Sequence, residues 1–427
     1  MLASAAPAQD TTCRIFATLS DHLAWPDDAQ QYLRLQLDLA SALPDGLPQH
    51  YDLLGDWLGQ QAEQALAAYH GYRQQRAEGA PRRHFAHLAQ LRQFLTSAAP
   101  ARLAAGASLY GVLHRWEDED FQPMVASYLD YTGHGIPGHN QYLRYLALLE
   151  AHGALPRDGA APAPASALAS ASAPASARHG DEAAARRGGP LEPAPQAGDA
   201  AARRGAAIEQ ALSRHADDAT LRRGAAIELA LARHADVHLA ELIGYNIGRQ
   251  QPCAALLAAR YELNELGADA DAFAQPADAA GSAPSALFTL RGVMARVTDP
   301  AGFYRRVDNG YRLHALAGRL ALPTAMPGPQ AVMPPREALD APPPRTASYT
   351  PAPPRQPERP VIRHAFPEDE HAWEAIGSEL RLLEARLASS ESKEEAMQIL
   401  ARLMTPGLQH TQVGLMAARI FNQLFRL

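Results

Sequence analysis

Residues 222–246 read RRGAAIELALARHADVHLAELIGYN. Apolar residues recur there at steps of three and four, through Ala226, Ile227, Ala230 and Leu231 and again through Leu239, Leu242 and Ile243. That spacing is the signature of an amphipathic helix. Ala, Leu and Arg, the commonest residues in the stretch, are strong helix formers. We read Ala225 to Asn246 as one long helix with Gly224 at its start.

The same period recurs on both sides. Leu33–Ala40, Trp57–Tyr72, Phe85–Phe94, Ala101–Leu113, Phe121–Tyr131 and Tyr142–Leu149 show it in the first half. In the second half it marks Cys253–Leu266, Leu287–Val297, Phe303–Leu316, Glu370–Leu387, Lys393–Leu403 and Val413–Phe425. Gly153, Gly267 and Gly318 supply stop signals, and Asp299-Pro300 supplies a start. Alternating strand-type runs are nearly absent. The expected fold is an all-α bundle of about ten or more helices.

Composition divides the 427 residues into blocks. Residues 11–156 form a Leu-, Tyr- and Trp-rich first half of the bundle. Residues 157–202, mostly Ala, Pro, Ser and Gly, read as a disordered linker that buries too little to offset its ordering entropy. Residues 203–333 form the second half, 334–360 a Pro-rich loop, and 361–427 helices packed on the bundle. One duplication stands out: 203–209 and 222–228 are both RRGAAIE. Two copies do not make a solenoid. Only the second leads directly into apolar helix, so that copy is expected on the core.

Several functions are excluded. The 39 Lys and Arg against 46 Asp and Glu give a net charge of −7, without the basic surplus of a nucleic-acid binder. Two cysteines, Cys13 and Cys253, cannot build an all-thiolate metal site. No phosphate-binding glycine loop, dinucleotide fingerprint, nucleophile elbow or zinc-protease helix occurs. With no basic leader and no long apolar run, we expect a cytoplasmic protein without membrane partners. Its expected partner is a small-molecule substrate, with a homodimer left open.

The best chemical constellation is His234, His238 and Glu241, at i, i+4 and i+7 of the long helix, with Glu262, Glu265 and Tyr261 on the next. Imidazoles and carboxylates on facing helices are how bundles hold iron or manganese. The same types also populate solvated faces. His134 and His139, in the loop 131–140 YTGHGIPGHN, are ligand or general-base candidates, with a surface role as the alternative. His114 with Glu117, Glu119 and Asp120 forms an acidic cluster suited to the positive start of the following helix. His84, His87, Tyr69 and Tyr72 read as core or rim, His410 as part of a turn and cap, and Cys253 as core.

The segments YLDYTGHG (128–135), ELIGYN (241–246), YELNELG (261–267) and FYRRVDNGY (303–311) together resemble the iron-containing redox enzyme family. Its members are haem-oxygenase-like proteins that bind non-haem iron in place of haem. The resemblance spans about two thirds of the chain and implies a haem-oxygenase-like bundle of about seven helices. It also implies one or two irons, held by Glu, Asp and His, that activate dioxygen. In this chain such a site would draw on Glu241, His238, His234, Glu262 and His139. The departures are specific. Tyr131 stands where the family has a ligand glutamate. The order His139-Asn140 inverts the family's Asn-His. Gln250 and Gln251 fill a glutamate region, and 269–286 reads as a loop in place of a ligand-bearing segment. Haem itself would need an early histidine such as His22. Two functions stay open: a non-haem iron oxidoreductase using dioxygen on a small molecule, or a metal-free relative that binds a small ligand or assists a partner.

Overall fold

In the computed structural model, residues 26–154, 219–273, 284–317 and 392–426 are described, with 381, 385, 387, 388 and 390. The linker 157–202, the Pro-rich loop, the first RRGAAIE copy, Cys13 and His22 lie outside them. The described residues form helices and short 3-10 turns, with no strand among them. The all-α reading therefore holds.

Six helices make the first half: α1 Pro26–Ser41, α2 Leu54–Ala77, α3 Leu88–Leu103, α4 Ala107–Tyr110, α5 Gln122–Tyr131 and α6 Gln141–Ala151. Seven follow: α7 Ala219–Arg233, α8 Leu239–Arg249, α9 Ala254–Glu265, α10 Ser285–Met294, α11 Pro300–Ala317, α12 Lys393–Leu403 and α13 Gln412–Phe425. No described helix is long and apolar enough to cross a membrane.

The caps follow the expected chemistry. Asp299 accepts the Gly302 N–H at 2.9 Å at the start of α11. Ser392 and Thr411 cap α12 and α13 in the same way. Gly153 and Gly267, both at positive φ, end α6 and α9.

Two boundaries differ from the sequence reading. Residues 85–113 do not split into helices 85–94 and 101–113. Instead α3 runs from Leu88 through Pro100 to Leu103, and the break falls at Gly106, at φ 87°. More important, 225–246 is not one helix. It breaks at 234–238, giving α7 and α8. The apolar period favoured continuity, but the residue after α4 crowds the end of α7: a side chain on Gly111 would overlap Ala235 and the Ala232 carbonyl.

The helix α8 packs most extensively on α11. Three glycines allow it. A Cβ on Gly244 would lie 1.8 Å from the Val307 carbonyl oxygen, and one on Gly310 would lie 2.0 Å from that of Glu241. Gly248 faces the His314 ring. Around this crossing α1, α4, α5, α7, α10, α12 and α13 bury the main core, including Leu33, Tyr128, Ile227, Leu231, Ile243 and Phe421. The second RRGAAIE copy is part of it, with Ala225, Ala226 and Ile227 fully buried. A second core joins α3, α6, α9 and the turn Ala270–Phe273. That turn corrects the loop reading of 269–286: Phe273 is buried, and Asp269 is anchored by Arg144.

Candidate functional site

At the centre of the main core, where α4, α5, α7 and α8 meet, lies a buried charged pair that the sequence reading passed over. Arg249, the last residue of α8, donates from Nη1 to Glu228 of α7 at 3.1 Å. Both side chains are nearly inaccessible to water. Glu228 is also met by the Ser108 backbone N–H at 3.2 Å and the Ser108 hydroxyl at 3.1 Å. The Tyr245 hydroxyl lies 3.5 Å away. Gly106 positions Ser108: its left-handed backbone starts α4 and leaves the Ser108 N–H, in the first turn, to meet Glu228.

The Arg249 guanidinium sits 4.6 Å from the Tyr131 ring centroid, over its face. Tyr131 in turn fits only because residue 106 has no side chain: a Cβ there would meet its ring at 2.6 Å. Burial disfavours the Arg249 charge, but Glu228 and the two phenols more than offset this and raise its pKa. Burial and Glu228 also hold the Tyr245 phenol protonated, well above its ordinary range. The only sequence signal was Glu228 itself, a lone carboxylate inside AAIELALA (225–232). Glu241 interrupts an apolar stretch in the same way, between Leu239-Ala240 and Leu242-Ile243.

The residues named from sequence do not gather at this centre. Glu241 is buried against α11, where Arg306 holds both its oxygens at 2.8 Å. His238 lies in the break before α8, its Nδ1 3.9 Å from Glu241. Both His238 nitrogens are buried without a hydrogen-bond partner. Burial is the main cause that lowers its pKa, with Arg306, His234 and Arg34 adding and Glu241 opposing. His234 is in the same break.

Glu262 faces elsewhere. It is fully buried and accepts the Tyr72 hydroxyl together with the backbone N–H groups of Arg83, His84 and Phe85, the last at 2.8 Å. Glu265 pairs with Arg76 and Arg82 at the rim, and Arg73 lies over the Tyr261 ring. His139 is exposed, while its neighbour Asn140 is buried. Asn140 caps α6 and donates to the Thr132 and Gln409 carbonyls.

The remaining candidates have structural partners. His134 contacts Asp130 at 2.9 Å and His114 contacts Asp236 at 3.2 Å. Asp118 and Asp120 hold Arg296 at the end of α10, so they serve that helix rather than the start of α5. His87 caps α3 through Nδ1. His410 stacks on Tyr142 at 4.1 Å. Cys253 is a half-exposed free thiol at the cap position of α9, not a core residue.

The resemblance implies iron, and the donors as placed do not fit it. The oxygens of Glu262 are taken by four donors and those of Glu241 by a guanidinium. Tyr131, at the family's glutamate position, faces a cationic side chain. Gln250, in the other glutamate region, ties down the start of α10: it accepts the Ala286 N–H at 3.1 Å and donates to the Ser285 hydroxyl at 2.8 Å. Among the described residues no group of three or more His, Cys, Asp or Glu side chains is placed to hold a metal ion.

Compared with protein-family models, with curated proteins and with solved structures, the chain shows no match.

Proposed function

We propose that this chain is a haem-oxygenase-like helical bundle that works without iron, as a cytoplasmic protein binding a small ligand in its core. One observation carries the reading. The central positive charge among the α4, α5, α7 and α8 helices is Arg249, clasped by Glu228 and Tyr131. A guanidinium there supplies in covalent form the charge that would otherwise come from a metal ion, and it occupies the carboxylate at that centre, Glu228. The spent oxygens of Glu241 and Glu262 support the same reading.

The competing reading is an iron oxidase whose site is rebuilt from His234, His238, Glu241, Glu262 and His139. Elemental analysis of protein purified from iron-supplemented cells separates the two. The metal-free reading expects far less than one iron per chain. About one iron or more per well-folded chain, the stoichiometry of mono- and di-iron bundles, overturns it.

A further inference from the structure

The structure leaves one edge of the central arginine unused. Arg249 engages Glu228 through Nη1. Its Nε and Nη2 have no hydrogen-bond partner among the described residues, although the side chain is 94% buried by its 6% exposure. These two nitrogens share an edge of the planar guanidinium. Their N–H bonds run parallel, at the separation of the two oxygens of a carboxylate. Buried donors left unmet are rare in folded proteins and call for an explanation.

We propose that this edge is a binding site for a small monocarboxylate with an apolar body. The proposal rests on the small-ligand reading above and gives that ligand its class. The chain itself shows what such an edge takes: Arg306 uses the same two nitrogens, Nε and Nη2, to hold both oxygens of Glu241. Glu228 already neutralises the Arg249 charge, so the site holds a carboxylate through its two unmet N–H groups rather than through net charge. Tyr131 covers the face of the guanidinium and not its edge. An apolar body suits the surroundings, because Tyr131, over the guanidinium, and Tyr245, beside Glu228, both belong to the main hydrophobic core. A tetrahedral dianion matches the planar edge less well and costs more to desolvate.

The test uses the full chain, with benzoate and butyrate as probes. Benzamide at equal concentration and chloride at equal ionic strength are the controls. The thermal midpoint is expected to rise with the logarithm of carboxylate concentration, as for a ligand of the native state, and not with either control. Arg249→Lys keeps a cation for Glu228 but loses the parallel donors, and is expected to weaken benzoate binding about tenfold or more. The Arg249 Nε–H resonance provides a readout that needs no substitution: benzoate should shift it and slow its exchange. An equal response to benzoate and benzamide, or no saturable response in native protein, overturns the proposal. Iron analysis on the same sample keeps the two readings apart. Iron-free protein that ignores carboxylates overturns this site alone, whereas iron-bearing protein overturns the metal-free reading whatever benzoate does.

Discussion

Arg306 grips Glu241 through two hydrogen bonds of 2.8 Å, one to each carboxylate oxygen. The acid is buried while the base is half exposed, so the pair tethers α11 to the start of α8. Arg306→Ala leaves a buried carboxylate beside His238. It is expected to lower stability by about 1–3 kcal/mol, read by urea denaturation. Glu241→Ala in turn should leave metal content unchanged. A fall in bound iron in that variant would show that Glu241 is a ligand after all.

His238 and His410 contribute to a pH dependence. Burial lowers the pKa of His238, and burial lowers that of His410 to about 4. Both take up a proton less readily in the fold than in the unfolded chain, where they titrate near 6.5. Below pH 6.5 the unfolded state therefore binds protons that the native state refuses, and their contribution to stability is lost as pH falls toward 4. His410→Phe keeps a ring to stack on Tyr142 and should flatten the decline over that window. An unchanged slope in denaturation midpoints measured from pH 7 to pH 4.5 would remove His410 from the account.

Glu262 gathers Tyr72 and the turn before α3 around one buried carboxylate. Replacing an acceptor of several charge-assisted hydrogen bonds with an amide puts a donor against donors. Glu262→Gln is expected to cost about 2–3 kcal/mol. Tyr72→Phe removes one of those bonds and should cost less. Thermal unfolding of the two variants gives the ranking, and a neutral Glu262→Gln would refute this structural role.

At the α8 and α11 crossing a methyl group has nowhere to go. Gly244→Ala places a carbon against the Val307 carbonyl, so the helices must separate. Overpacking of this kind costs about 1–3 kcal/mol. Gly71→Ala, where nothing lies within 4 Å, should be neutral or slightly stabilising. Circular-dichroism melts of the two test the contrast.

The sequence was informative where a local rule acts alone. Periodicity marked the helices, and Asp299, Ser392 and Thr411 capped as their chemistry requires. It failed where distant contacts decide. The apolar spacing on either side of 234–238 gave no sign that α4 would crowd that segment. The chemistry was harder to read. Glu241 and Glu262 were conspicuous as acids on successive helices, but a spacing rule cannot say whether such an acid meets a metal, a guanidinium or a row of amides. Arg249 was invisible for a different reason. Arginine at the end of a helix looks like an ordinary partner for the helix dipole, and only the fold carries Glu228 and Tyr131 to it.

The Tyr128 hydroxyl in α5 donates to the Met404 carbonyl just after α12. The turn at Gly135 lies against the α13 backbone, where a Cβ would come within 2.2 Å of the Leu415 carbonyl oxygen. Residues 122–135 are thus completed by residues 404–419. During synthesis, which delivers the chain from its N-terminus onward, the early helices must wait with part of their apolar surface uncovered until α12 and α13 emerge. Release of those two helices is the step that seals the core, and the waiting interval is when a chaperone has most to hold.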